Sequence, residues 1–265
     1  MNRVLCSTGA VVTRKNGLNY RLLPELAEKL CCDGFELMIS RSWYENFDTV
    51  YGDISRMGLL IPTVHCEKGI GELISAGDGE AYRRFELDCR AAEMTGAKLL
   101  VLHLWNGLVS DSNFSENLRA YERLRKIAEG HGLLLTVENV VCNVSAPMNR
   151  LRELAAEYPD ISFTFDTKMA AFHGELDEFY DEDFLKKHIK HLHINDYGGG
   201  IKEWNALRTL HLGCGNIDFD GFFGFVRKTG YTGDFTVEAT SVNDDGSVDI
   251  DKLNSDFLKI KGYIA

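Results

Sequence analysis

Short apolar runs alternate with longer segments of helical period along the whole chain, and this rhythm limits what it can fold into. The runs are Arg3–Ser7, Gly34–Ile39, Ile61–His65, Lys98–Leu104, Leu133–Asn139, Ile161–Asp166, Ile189–Asn195 and Phe235–Ala239. Runs of this length between turn residues read as buried strands. The intervening periodicity predicts helices over 19–31, 44–57, 80–95, 115–130, 148–157, 178–188, 218–229 and 249–261. Ser115, followed by Leu118, is expected to cap the fourth of these, with Gly130 and Gly132 just past its end. Gly96 closes the preceding helix in the same way. No linker, charge block or low-complexity tract interrupts the pattern, and Pro occurs only 4 times, so residues 1–265 read as one domain. Eight strand–helix pairs in 265 residues fit an α/β fold, a single (β/α)8 TIM barrel with its active site at the C-terminal ends of the strands. A doubly wound sheet would carry a glycine-rich phosphate loop after its first strand. The segment there, STGAVVTRKNG, contains no G-x-G-x-x-G.

The strands end on ionisable residues. The third ends in His65, the fourth in His103, the fifth in Glu138, the sixth in Asp166, the seventh in His193 and the eighth in Glu238, while the second carries Glu36. Such groups are costly to bury unless a charge or metal compensates. In a barrel all strand C-termini converge on one face. Side chains alternate along a strand, so Thr136 lies below Glu138, Thr164 below Asp166 and His191 below His193. One ionisable strand end is weak evidence, but six in succession point to one or two metal ions.

Other residues carry less. His188 reads as a solvated cation at a helix C-terminus, His131 as a cap, and His191 as a hydrogen-bonded interior residue. His173 is either a substrate contact or a surface group. Glu36 is either a substrate contact or part of a structural ion pair. Trp43, Trp105 and Trp204 follow strands on the same face; each reads first as packing, with an apolar wall for a small polyol as the alternative. The 7 cysteines are odd in number, scattered and without a C-x-x-C, which excludes a disulfide framework and a structural zinc knot. They read as buried small hydrophobes in a reduced, cytoplasmic protein. A formal net charge of -11 disfavours nucleic acid and anionic membranes as partners. The opening MNRVLCSTGA has no extended apolar core and does not read as a signal peptide, and no apolar run is long enough to span a membrane.

The motifs VHCEKGIG, VLHLWNG, TVEN, FDTKMAAFHG, HLHIND, LHLGCGNIDF and TVEA together resemble the xylose isomerase-like barrel superfamily. That group includes sugar isomerases and epimerases and the endonuclease IV apurinic endonucleases. The resemblance covers essentially the whole chain. It implies one divalent metal ion (Mn, Mg, Co or Zn) held by Glu138, Asp166, His193 and Glu238. It also implies that His65 and His103 sit near a second ion or the substrate. The third metal set of the nuclease branch is missing, since Met169 and Leu207–Arg208–Thr209 fill its places. Epimerase-like members often place a substrate-touching histidine where Met169 stands. Lys168 is a candidate cationic replacement, and Arg208 and His211 are weaker substrate-contact candidates.

The implied activity is that of a metal-dependent isomerase or epimerase. It would act on a small sugar or polyol ketone by proton abstraction through an enediolate. Glu138 and Glu238, from the fifth and eighth strands, are expected to serve as acid and base, and Asp196 to orient a ligand. The same groups would suit dehydration of an inosose-type ketone. The alternatives are an endonuclease IV-like phosphodiesterase, opposed by the acidic charge, and a metal- or sugar-binding barrel without turnover. A homodimer is the expected assembly.

Overall fold

The computed structural model describes residues 2–265. Eight parallel strands close into a single barrel in sequence order. They are β1 (Val4–Ser7), β2 (Gly34–Met38), β3 (Thr63–His65), β4 (Leu99–Leu102), β5 (Leu134–Glu138), β6 (Ser162–Asp166), β7 (Ile189–His193) and β8 (Asp234–Val237). The α-helices are α1 (Thr8–Val11), α2 (Leu23–Lys29), α3 (Phe47–Arg56), α4 (Gly69–Ser75), α5 (Glu80–Thr95), α6 (Phe114–Gly130), α7 (Pro147–Glu157), α8 (Thr167–His173), α9 (Glu182–His188), α10 (Phe219–Thr229) and α11 (Ile250–Ile264). No helix among the described residues is long and apolar enough to cross a membrane.

Contacts concentrate within two halves, residues 37–164 on one hand and residues 1–36 with 165–265 on the other, with the divisions falling inside β2 and β6. In residues 37–164, the register places His65 of β3 beside Val101, and Glu138 of β5 beside Thr164. Thr136 and Thr164 share a 2.8 Å hydrogen bond, while Leu135, Val137 and Phe163 occupy the opposite face. In the other half, Ser7 lies beside Glu36 and His193 beside Thr236. Phe35, Leu192, Phe235 and Val237 supply the apolar face there, and Phe223 of α10 stacks on Tyr263 of α11 at 4.7 Å. The period of two thus separates polar from apolar faces on each strand, both of them buried.

The helix signals were correct in kind and shifted in place. Gly96 ends α5 at φ 79°, in the left-handed region where glycine is favoured. At α6, Asn113 occupies the cap position without a side-chain bond and Ser115 lies inside the first turn, so the expected Ser115 cap does not form. Gly130 is the last residue of α6, His131 the C-cap, and Gly132 carries the positive φ of 70°. His188 is buried instead of solvated: it turns under α9 against Phe184 at 5.1 Å, and the neighbouring Lys186 and Lys187 take the solvent. None of the seven cysteines forms a disulfide, but Cys31 and Cys214 are exposed and Cys32 is half-buried, contrary to the expectation that every thiol is buried.

Asp88 of α5 anchors the turn that follows His65. It accepts from the Tyr44 hydroxyl at 2.7 Å and from the Glu67 amide at 2.9 Å. Burial lifts its carboxyl to about 8, against the pull of these donors. A folded-state carboxyl raised this far keeps its proton after the unfolded chain has lost it. The stability it contributes is therefore present below pH 4 and declines as pH rises from about 4 to 8. Asp88→Asn is expected to flatten that decline in urea denaturation midpoints between pH 5 and 8. An unchanged slope would mean that Asp88 is ionised throughout.

Candidate metal centre

Within residues 37–164, three ligand-type side chains meet at the C-terminal ends of β3, β4 and β5. The Nε2 atoms of His65 and His103 lie 3.2 Å and 3.0 Å from the same oxygen, Oε2 of Glu138. His65 Nδ1 lies 2.7 Å from the Cys66 carbonyl. A carbonyl only accepts, so Nδ1 carries the hydrogen and Nε2 presents either a lone pair or a second proton to Glu138. Burial pushes the His103 imidazole down to about 4, leaving it neutral near pH 7.

The other half holds Asp166, His193 and Glu238 around Asn195. Asp166 ends β6 and caps α8, its Oδ1 accepting from the Met169 amide at 2.9 Å. The Asn195 side-chain amide donates to Asp166 Oδ2 at 2.9 Å and to Glu238 Oε2 at 3.0 Å. Its carbonyl accepts from the Glu238 amide at 3.0 Å, and Thr167 pins its backbone at 3.0 Å. Asn195 therefore fixes the spacing of two carboxylates, a role that the sequence reading placed one residue later. Asp196 lies on the opposite side of the chain. Its carboxylate accepts from the amides of Gly213, Gly215 and Ile217 and so shapes the Gly-Cys-Gly turn. A side chain on Gly215 would collide with Asp196 and Tyr197, which is why glycine stands there.

One ligand-type atom from each of Glu138, Asp166, His193 and Glu238 lies within 4.8 Å of the others. His65, His103 and Glu138 form a second such group, and Glu36, His191 and His193 a third. Three carboxylates this close together, almost fully enclosed, would repel one another without a positive charge between them. An uncompensated buried carboxylate costs several kcal/mol. The donors of the four-residue group, oxygen-rich with one imidazole, suit a divalent cation of the Mn, Mg, Co or Zn type.

The remaining candidates occupy distinct places. Lys168 is buried, with Nζ 3.0 Å from Thr209 Oγ1 and 4.0 Å from Asp166 Oδ2, so it stands beside a ligand-type carboxylate. Glu36 is fully buried and bonded to His191 and His193. Trp105 is fully buried, donating to the Val141 carbonyl at 3.2 Å. Trp43 packs edge-on against Tyr51, whereas Trp204 is largely exposed against Phe172. His173 ends α8, buried against Phe172. Arg208 is exposed. His211 Nδ1 pairs with Asp256 at 2.6 Å and its Nε2 lies 3.3 Å from Ser241 Oγ, tying α11 to the loops after β7 and β8. The Ser241 hydroxyl is directed to the Ala239 carbonyl at 2.9 Å, so this trio is a tether and not a primed nucleophile.

Comparison with known proteins agrees with this architecture. No curated protein matches the sequence. Among solved structures, the IolI protein with a bound zinc atom superposes with a TM-score of 0.75 at 16% identity, covering 99% of this chain and 98% of that one. A D-tagatose 3-epimerase-like protein gives 0.72 at 18% identity, covering 99% and 97%. The D-allulose 3-epimerase from Methylomonas sp. in complex with D-allulose gives 0.72 at 15% identity, again covering 99% and 97%. At these identities the likeness establishes the fold. The family model for xylose isomerase-like TIM barrels matches residues 24–259. With eight strands closed in order and ligand-type side chains gathered at their C-terminal ends, the chain belongs to the xylose isomerase-like TIM barrel family.

Proposed function

We propose that the protein is a divalent-metal-dependent isomerase or epimerase acting on a small sugar or polyol ketone. The observation that carries this reading is the group of Glu138, Asp166, His193 and Glu238, three carboxylates and one imidazole within 4.8 Å. These four residues would hold the cation, which when bound would supply Lewis-acid polarisation of a substrate carbonyl. Glu138 and Glu238 would move the proton. One takes it from the carbon beside the carbonyl, and the other returns it to the same carbon or its neighbour, their roles exchanging with reaction direction. Glu238 is the more open of the two, with 11% of its side chain exposed against 2% for Glu138, so proton exchange with solvent runs through Glu238. Lys168 is placed to meet an oxygen-rich part of the substrate near Asp166. The solved relatives bearing sugar epimerase names support the reaction class, and the zinc in the IolI structure supports a divalent ion. Seven free cysteines fit a reducing, cytoplasmic setting.

The test is solvent exchange. Protein loaded with Mn2+ is incubated in D2O with free and phosphorylated ketoses and with inososes, and deuterium beside the carbonyl is followed by NMR. Incorporation that requires the metal is expected for at least one of these substrates. A protein that binds the metal and a sugar yet exchanges nothing would be a binding barrel.

The cluster of His65, His103 and Glu138 favours a second reading, a two-metal phosphodiesterase. The net charge of -11 weighs against a DNA substrate.

A further inference from the structure

Glu36 of β2 gathers buried polar contacts in the barrel interior. Its Oε2 accepts from three donors: His191 Nε2 at 2.9 Å, His193 Nε2 at 3.2 Å and Thr236 Oγ1 at 3.1 Å. His191 Nε2 also lies 2.9 Å from Thr236 Oγ1. Glu36, His191, His193 and Thr236 all have zero exposure, so no substrate reaches Glu36 in this structure. An oxygen that receives the Thr236 hydroxyl as well is an acceptor, so both ring nitrogens facing it carry hydrogens.

This arrangement places a hydrogen on His193 Nε2. A neutral imidazole with its hydrogen on Nε2 has its lone pair on Nδ1. His193 Nδ1 lies 3.6 Å from Glu238 Oε2, on the side of the four-residue group. Two electron-rich atoms facing each other at that separation are complementary to a cation between them. His191 and Thr236 share the same oxygen and stop the carboxylate from turning away.

We propose that Glu36 is a positioning residue, which locks His193 in the Nε2–H tautomer with Nδ1 aimed at the cation and raises the basicity of that nitrogen. The role rests on the metal-centre reading above. A carboxylate behind a ligating histidine is a general device for fixing ring orientation, and losing one typically weakens metal binding by about 10–100-fold. Here one buried carboxylate from β2 serves two histidines of β7, so the ring is fixed by an element distant in sequence from its own strand.

The test compares the full chain with Glu36→Gln, which keeps the volume and removes the charge. Two readouts are taken: Zn2+ affinity by chelator competition, and the His193 tautomer by nitrogen-15 NMR of the metal-free protein. Glu36→Gln is expected to lower affinity by about 10–100-fold and to mix the tautomers. Glu36→Asp, which retains the charge, is expected to recover part of the loss. If Glu36→Gln fails to fold, Thr236→Val removes one hydrogen bond to Glu36 and is expected to weaken Zn2+ binding by a smaller factor. Unchanged affinity together with an unchanged tautomer in Glu36→Gln, or in Thr236→Val where it stands in, would overturn the proposal. So would loss of a second stoichiometric ion in Glu36→Gln, which would make Glu36 a ligand. A wild-type protein that binds no divalent ion at all would instead remove the metal reading on which the role depends.

Discussion

Glu238→Gln is expected to lower turnover by about 10²–10⁴-fold at saturating metal, the range over which a positioned acid or base contributes. The substitution keeps the shape of the side chain and one acceptor for the Asn195 amide, which now lies 3.0 Å from Glu238 Oε2. It removes the negative charge and the ability to carry a proton. The backbone bond from the Glu238 amide to Asn195 is untouched, so the loop should stay in place. Asp166→Asn provides the contrast. An amide there would set its own donor against the Asn195 or Met169 donors that now bond Asp166 at 2.9 Å. Asp166→Asn should therefore weaken the metal first, and added metal should recover much of its activity. Added metal should not rescue Glu238→Gln. Steady-state rates across a metal titration separate the two, and full turnover by Glu238→Gln at high metal would remove Glu238 from proton transfer.

The residues at the strand ends were legible because period-two alternation and barrel closure are both local-to-global rules of regular geometry. The same alternation held one more residue. His191, His193 and Asn195 share a face, so counting two onward from His193 reaches Asn195, not Asp196. The acidic side chain drew attention away from the amide that actually spans Asp166 and Glu238. Glu36 was recognisable as a buried charge, but its partners stand on β7 and β8, and no local pattern announces a contact across 155 residues. The short helices α1, α4 and α8, of 4, 7 and 7 residues, left no periodic trace because so few turns show no stripe. His188 misled for a different reason. Its lysine neighbours mark a solvated helix end, yet one residue of rotation turns its ring inward against Phe184. Burial of a single side chain in a mixed segment depends on what the rest of the chain brings against it, and Cys31, Cys32 and Cys214 differ from the four buried cysteines on the same ground.

Glu138 is the junction of two ligand-type groups, so its removal should have the largest effect on bound metal. Its Oε2 receives both His65 and His103, and Glu138 also belongs to the group with Asp166, His193 and Glu238. The wild-type chain is expected to hold one divalent ion. Glu138→Gln should weaken that ion by about 100-fold or more, because it removes a charged ligand in a site where charge is the compensation for burial. His65→Ala should leave the ion in place. The reason lies in the hydrogen of His65 Nδ1, which the Cys66 carbonyl holds at 2.7 Å. With that nitrogen occupied, only Nε2 faces Glu138, and His65 stands outside the group of Glu138, Asp166, His193 and Glu238. If a second metal binds there, Nε2 becomes its ligand, and His103, neutral near pH 7, supplies another. Elemental mass spectrometry of the three proteins distinguishes these cases. One ion per chain, lost in Glu138→Gln and kept in His65→Ala, supports the isomerase or epimerase reading. Two zinc ions, one of them lost with His65, would overturn it in favour of hydrolysis, since a pair of ions sharing Glu138 can activate a water and stabilise a departing oxygen together.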